Sequence, residues 1–443
     1  MTLGNTTGVA PVSIEVRTIQ KLRIRILPFV FLLFVIAQLD RNNIGFAALT
    51  MNKDMAVTSQ QFGLIFGIFF FGYFIFEIPS NLLLHKIGAR VWIARILISW
   101  GIAAMLTGFV HTVHQLYIVR FLLGLAEAGY FPGMVLYLTC WFPQRELARA
   151  LALLLAANPV MTILGSPVSG LILDHVHWLG VSSWRWLLFL EGIPAIVFGF
   201  LTYFLLPSFP QEAKFLTAEQ KEWIQAELAG EEQQKLCQRR YSVLQALASG
   251  RVWYLVLIYF GMMIGYYTLQ SWSPQLLRSL SSGYSNTEIG LLVMIPSLVG
   301  LPIMILVSRS SDRRMERRYH VAIPVIMGAA ALLLLGTTRS PHYSTAMLCL
   351  LAAGICSSLG PFWALPSEFL TGFSAAAGIA LINSVGNLGG LVGPYLIGSI
   401  AMRTGNLYAG LAIAGIPLFT SATLVSLLPR KAPTPRKVLI DRE

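Results

Sequence analysis

The feature that most limits what this chain can become is a recurrence. Twelve stretches of mostly apolar residues, each about 18 residues or longer, run at 26–50, 62–84, 91–110, 115–140, 147–174, 185–206, 252–276, 288–308, 321–338, 344–366, 374–401 and 406–428. A helix needs about 20 apolar residues to cross the roughly 30 Å hydrocarbon core of a bilayer, whereas a barrel strand needs only about 10 that alternate. In hydrocarbon every backbone N–H and C=O must find its partner inside the protein, which leaves helices or closed barrels. Long runs without alternation select helices. The supply of charge agrees: 12% of the 443 residues are charged, against about 25% in a soluble domain. That is too little to coat a water-facing surface. The expected fold class is therefore an all-α polytopic membrane protein with twelve transmembrane helices.

One polar segment, 208–250, divides the spans six and six. It carries Glu212, Glu219, Glu222, Glu227, Glu231 and Glu232 among lysines and arginines, and reads as a surface helix plus linker. The expected organisation is an N-terminal segment 1–25, a six-helix bundle 26–207, the linker 208–250, a second bundle 251–428 and a tail 429–443. The net charge of +12 would suggest nucleic acid in a soluble protein; in a membrane protein its placement matters more than its sum, and no nucleic-acid partner is expected. With the N-terminus taken as cytoplasmic, 24 of the 32 Lys and Arg fall on the cytoplasmic side. Five fall opposite (Lys53, Arg185, Arg278, Arg339, Arg403), and three (Arg41, Arg95, Arg120) lie within spans. Both termini are expected to be cytoplasmic. Cys140, Cys237, Cys349 and Cys356 show no C-x-x-C spacing and read as packing residues, with no disulfide framework, metal or cofactor implied. The first apolar run is too long for a cleavable signal peptide.

The two halves look like diverged copies. The fifth span carries Asn158 followed by Gly165, Pro167 and Gly170; the eleventh carries Asn387 followed by Gly393, Pro394 and Gly398. The loops after the second and eighth spans are both basic, with Lys86 and Arg90 in one and Arg313 to Arg318 in the other. Duplicated halves with a site at their midplane interface are a transporter architecture. Gly386, Gly389, Gly390 and Gly393 are expected to let helix backbones pack closely.

An ionisable residue at the bilayer centre costs about 2.5–3.5 kcal/mol on the insertion scale, so each is a functional candidate. The first half holds Asp40, Arg41, Glu77, Arg120 and Glu127; the second has almost none, with Arg309 and Glu368 only at span ends. Arg120 and Glu127 stand seven positions apart, and seven steps of about 100° return to within about 20° of the same face. Asp40 and Arg41 are adjacent in mid-span, so one can face a central cavity while the other meets a neighbouring helix. One reading of these four is an inert ion-pair set locking the first span to the fourth. Desolvation makes buried pairs a poor source of stability, which disfavours it. The other reading is chemical. A guanidinium fork binds a carboxylate bidentately, so Arg41, joined by Arg120, would grip a substrate anion. A buried carboxylate that loses its arginine to the substrate takes up a proton. Proton and anion then favour each other's binding, a route to proton–anion symport with Asp40 and Glu127 as carriers.

Other residues are weaker candidates. Tyr73, Asn158, Gln270, Trp272, Trp363, Asn383 and Asn387 are expected to line the cavity, the last two sharing a helix face at i, i+4. The alternative for each polar one is helix glue. Glu77 lies near the end of the second span and reads as structural. Glu191 follows Trp184, Arg185 and Trp186 at the membrane interface and reads as a local partner or cap. His111 and His114 form an isolated H-x-x-H that is not taken as a metal site. Side-chain amides favour a hydroxylated acid such as tartrate or a sugar acid, with an aromatic acid left open. An exporter or exchanger with the same pocket is the nearest alternative. A membrane-embedded enzyme is disfavoured by the lack of a phosphate-cradling Gly-rich loop or H-E-x-x-H, and a sensor by the lack of an added soluble domain.

These motifs carry a family resemblance. The stretch Leu39-Asp40-Arg41-Asn42-Asn43 with Ile44-Gly45-Phe46-Ala47, then Thr50-Met51-Asn52-Lys53-Asp54, Gly72-Tyr73 and Glu77 to Asn81, resembles the major facilitator superfamily, in its anion:cation symporter branch and its tartrate-type organic-acid permeases. So do Gly88 to Arg95, Arg120 to Gly129, Tyr137 to Pro143 and Asn387 to Pro394. The resemblance implies two pseudo-symmetric six-helix bundles working by alternating access, in a monomer of the inner membrane. It implies carboxylate binding at Arg41, proton coupling at Asp40 and Glu127 with Arg120 as charge partner, and a pocket lined by Tyr73 and Asn387. In the loop after the second span, Asn81 and His85 replace the family's usual Gly and Asp. Gating by Arg90 is thereby weakened, and it is expected to lean on Asp312 and Arg313 in the second copy.

Overall fold

The structure, a computed structural model, describes residues 13–236, 248–281, 283–369 and 373–428. A short amphipathic helix α1 (Ile14–Arg25) leads into α2 (Leu27–Asp54). The first half continues with α3 (Ser59–Ile87), α4 (Ala89–Thr107), α5 (Val113–Glu127), α6 (Tyr130–Thr139), α7 (Gln144–His175) and α8 (Ser183–Leu205). After α9 (Ala218–Leu236) the second half comprises α10 (Gly250–Leu280), α11 (Asn286–Arg314), α12 (Arg318–Leu334), α13 (Pro341–Phe369), α14 (Phe373–Asn387), α15 (Gly389–Thr404) and α16 (Leu407–Leu427). Among the described residues, eleven segments are long and apolar enough to cross a membrane, and α12, at 17 residues, is a shorter apolar helix in the place of the ninth span. An even number of crossings puts the start of α1 and the end of α16 at one end of the bundle, the terminal face; the opposite end is the far face.

Local sequence sets the far-face starts. Thr58 with Gln61, Thr112 with Gln115, and Ser285 with Glu288 form capping boxes that open α3, α5 and α11, each satisfying backbone N–H groups that a helix start leaves orphaned. At the terminal face α9 is the surface helix expected between the bundles. It is pinned by Lys21, which donates to Gln220 at 3.0 Å, and by Arg145, which bridges Glu15 at 2.7 Å and Glu227 at 3.4 Å. Cys237 and the side chains of Glu368 and His85 lie outside the described residues.

Two spans expected to be continuous are broken. The fourth divides into α5 and α6 at Ala128-Gly129, where Gly129 adopts φ +83. That left-handed backbone favours glycine, and a Cβ there would run into Ser80 of α3. The eleventh divides into α14 and α15 at Leu388. Glu127 and Asn387 each end a helix at these breaks. A single-sequence pattern shows apolar residues continuing through both and gives no break.

The halves meet along two seams related by their pseudo-symmetry, α3 with α15 and α7 with α11, joined by α2 against α10. Side chains added at Gly63 or Gly398 would strike the Pro394 or Ser59 carbonyl, and at Gly170 or Gly290 the Asn286 or Ser166 carbonyl. Such contacts need glycine because backbones touch directly. Polar clasps reinforce the far face. Gln60 donates to Tyr395 and Asn52 to Gln275, both at 3.0 Å. Asp174 at the end of α7 accepts from the backbone N–H of Asn286 (3.0 Å) and Thr287 (2.7 Å) and from both of their side chains, capping α11 of the other half.

Candidate functional site

Arg41 lies at the middle of α2 and turns toward α5, where its Nε stands 2.5 Å from Glu127 Oε1. Its guanidinium carbon is 5.1 Å from the Tyr73 ring centre and 5.5 Å from that of Phe69, close enough for cation–π attraction. Glu127 is 1% exposed, and its Oε2 has no hydrogen-bond partner among the described residues. The adjacent Asp40 faces the other way, into the first bundle. It accepts from Trp100 Nε1 at 2.5 Å and from Asn43 Nδ2 at 3.3 Å. The divergence expected of neighbours on a helix thus separates the two residues into different surroundings.

Arg120 departs from the expected charge set. It is 1% exposed, yet it has no carboxylate oxygen within 4.0 Å among the described residues. Its Nε donates to the Ile65 carbonyl at 3.4 Å, and its guanidinium lies over Phe69, 5.4 Å from the ring centre. Sharing a helix face with Glu127 does not bring the two into contact, because seven residues span about 10.5 Å of axis. Arg41, arriving from another helix, takes the carboxylate instead.

Across the interface, Asn383 and Asn387 on α14 share a face and bond each other at 3.2 Å. Asn387 also accepts from Tyr267 of α10 at 3.0 Å, and the Tyr267 ring packs 4.2 Å from Phe70. Asn383 donates to Glu77 of α3 at 3.0 Å, and Ser384 donates to its other oxygen. Glu77, read from sequence as a structural residue near a span end, is therefore a buried carboxylate joining the two halves one helical turn from Tyr73. Nothing local to its sequence announces a partner 306 residues away.

Asn158 and Gln270 line a separate cavity between the halves, with Asn43, Ser169, Ser273 and Ser297. At about 50 Å³ it has room for water but not for an organic acid. Gln270 also donates to Tyr266 at 2.7 Å, and Asn158 to the Leu155 carbonyl at 3.2 Å. Trp272 is not at the cavity: it is 1% exposed and packs edge-on against Phe62, 5.0 Å away, in the seam. Trp363 packs against Tyr259 at 4.9 Å. Gly386, Gly389 and Gly390 pack against Tyr259, Phe260 and Phe70, the helix-packing role expected of them.

Of the three residues expected to gate the protein, Arg90 and Asp312 make local contacts. Arg90 donates to the Tyr203 carbonyl at 2.7 Å and approaches Glu212 at 3.9 Å. Asp312 accepts from Arg317 at 2.5 Å, five residues on, with its side chain 70% exposed. Arg313 is exposed. None of these contacts crosses between the halves.

Glu191, read from sequence as a local partner or cap at the membrane interface, is enclosed by the first bundle. It is 2% exposed inside the first bundle and accepts from Ser169 at 2.6 Å. A signal existed: Trp184, Leu187, Leu188, Glu191 and Ala195 are all buried, and their spacing of three and four is a single helix stripe.

Pseudo-symmetric six-helix bundles around a membrane-buried ionic site define a polytopic membrane transporter, not an enzyme. The sequence profile of the Major Facilitator Superfamily matches residues 30–394, and the chain belongs to that family. It is 44% identical over 96% of its length to a protein of Agrobacterium vitis named "Putative tartrate transporter", covering 94% of that protein. It is 38% identical over 94% of its length to the "Quinolone resistance transporter" of Acinetobacter baumannii, covering 96% of it. The partially occluded inward-open structure of the xylose transporter XylE from E. coli shares the fold, with a TM-score of 0.71 at 18% identity, over 92% of this chain and 99% of that one.

Proposed function

We propose that this protein is a secondary active transporter that takes up a small organic carboxylate together with protons, by alternating access of one site to the two sides of the membrane. The observation that carries the reading is the Arg41–Glu127 pair, mid-membrane and flanked by Tyr73 and Phe69. A substrate carboxylate that binds Arg41 bidentately displaces Glu127. Glu127, buried and stripped of its cation, then takes a proton, so anion and proton enter as a pair. Tyr73, Tyr267, Asn387 and Asn383 stand where hydroxyls of a tartrate-like or sugar acid would find partners, and Asn158 and Gln270 face the adjoining cavity. The relative named for tartrate supports that substrate class.

Alternating access requires the halves to part in turn. In this reading the Asp174–α11 clasp opens the far face and the Glu77–Asn383–Ser384 bridge opens the terminal face. The bundles are 26–207 and 251–428, joined by 208–250, with 1–25, the linker and 429–443 cytoplasmic. The 24-to-five partition of Lys and Arg supports that orientation in the cell's inner membrane. By family resemblance the working unit is a monomer in membrane lipid.

A second reading, export of an organic molecule through the same pocket, is favoured by the relative named for quinolone resistance. Liposomes holding a pH-sensitive dye separate the two. Internal acidification driven by one acid from a panel of tartrate, sugar acids and aromatic acids, and lost in Arg41→Ala, supports uptake with protons. No acidification with any acid, together with proton-driven extrusion of a quinolone, sinks the first reading.

A further inference from the structure

We propose that Glu191 is a proton-binding site of this protein and works as a pair with Asp40. Glu191 projects from α8 into the first bundle. Its Oε1 accepts from Ser169 of α7, while Oε2 has no hydrogen-bond partner among the described residues. Asp40 approaches from α2 and holds Trp100 of α4. Asn43 lies between the acids, donating to Asp40 and facing Glu191. The three helices packed on α8 are α2, α4 and α7. They bring Asp40, Asn43, Trp100 and Ser169, and no cation: neither carboxyl has a Lys, Arg or His nitrogen within 4.0 Å among the described residues. Glu127 and Arg120 of α5 also act on Asp40 electrostatically, Arg120 from beyond 4.0 Å.

Two buried carboxylates that share Asn43 and have no cation within 4.0 Å among the described residues do not both remain charged. Burial penalises each anion, and each anion penalises the other. A proton on Glu191 Oε2 removes one charge and turns that unpartnered acceptor into an O–H donor. The step forms one O–H bond with a proton supplied by water and changes no other bond. A route is present, since Asn43 and Ser169, which bond the two acids, also line the water-sized cavity. That cavity lies between the halves, so hydration of the pair follows their opening and closing. Glu127 answers to the substrate through Arg41, whereas the Glu191–Asp40 pair answers to the cavity. The inference rests on the proton-coupled reading only for what the proton is used for.

Infrared difference spectroscopy on the full-length protein in proteoliposomes, between alkaline and neutral pH, reads this proton without any substrate. The expected result is a protonated-carboxyl C=O band, shifted in D2O, that is present in the wild type and in Glu127→Gln, lost in Glu191→Gln and displaced in Asp40→Asn. If Glu191→Gln fails to fold, Ser169→Ala must still shift the band, because it removes the Ser169 hydrogen bond to Oε1. A wild-type spectrum without a band that responds to Glu191 or Ser169 overturns the proposal. With tartrate as the probe, Glu191→Gln is expected to lower the number of protons taken up per anion, and an unchanged ratio refutes the coupling role. Wild-type protein that moves no tartrate defeats the tartrate reading and leaves the band assignment to stand or fall by itself.

Discussion

Arg41→Ala removes the cation from a carboxylate that is almost wholly buried. The side chain of Glu127 is 1% exposed and that of Arg41 14%. Breaking a buried pair by deleting one partner costs about 3–5 kcal/mol, because the other charge is left uncompensated. The cost should be largest when the survivor is the more buried partner, which here is Glu127. Adding Glu127→Gln removes the stranded charge and leaves mainly the lost contact of Arg41 with Tyr73 and Phe69, about 0.5–2 kcal/mol. With an unfolding entropy of about 2.1 cal/mol/K per residue, 443 residues give roughly 0.9 kcal/mol per kelvin. Arg41→Ala should therefore lower Tm by about 3–5 °C, and the double variant by only about 1–2 °C. Thermal unfolding of the purified proteins in detergent, followed by tryptophan fluorescence, measures both. The penalty of the single variant should also shrink in acid, where the carboxyl is neutral. A double variant no more stable than Arg41→Ala would show that Glu127 does not depend on Arg41, and the ion-exchange step drawn from their contact would fail with it.

Gly129→Ala should cost about 1–2 kcal/mol for its left-handed backbone, and more for displacing Ser80, which Trp92 bonds at 3.0 Å; Ser80→Gly should recover the second part, as a double-mutant cycle on Tm would read. Glu77→Ala strands the Asn383 amide and the Ser384 hydroxyl at the interface of the halves, so it should lose about 1–3 kcal/mol and raise labelling of cysteines placed at the terminal-face end of α14; labelling equal to wild type would count against a bridge there. Asp174→Ala removes the cap of α11, worth about 0.5–2 kcal/mol, and should raise far-face labelling at Asn52→Cys. Glu316, between α11 and α12, is pulled upward by partial burial but carried below the usual carboxylate range by the Tyr319 N–H and by the His320 ring and N–H. Its stabilisation is therefore complete above the unfolded-state pKa of about 4.3 and is lost as pH falls through the lower folded value. Glu316→Gln should be less stable than wild type at neutral pH and equal to it in strong acid.

Much of the fold was legible along the chain, because crossing a bilayer is a local requirement. Each span declares itself by its own run of apolar residues, and their even number puts both termini on one face. Intramembrane charge is also a property of single positions, so Asp40, Arg41, Arg120 and Glu127 could be picked out by their desolvation cost alone. Glu191 could have joined them through its buried stripe on α8.

Pairing was a different matter. That Arg41 and not Arg120 holds Glu127, that Asp40 meets Trp100 and Asn43 instead of an arginine, and that Glu77 reaches Asn383 all depend on how separate helices pack. The breaks after Glu127 and Asn387 are also tertiary, the first set where Gly129 must pass against Ser80. The water-sized cavity belongs to both halves and to neither sequence. Sequence determines which groups cannot afford to stand alone in hydrocarbon; only the packed helices decide which partner each one gets, because that partner comes from a part of the chain that local periodicity does not see.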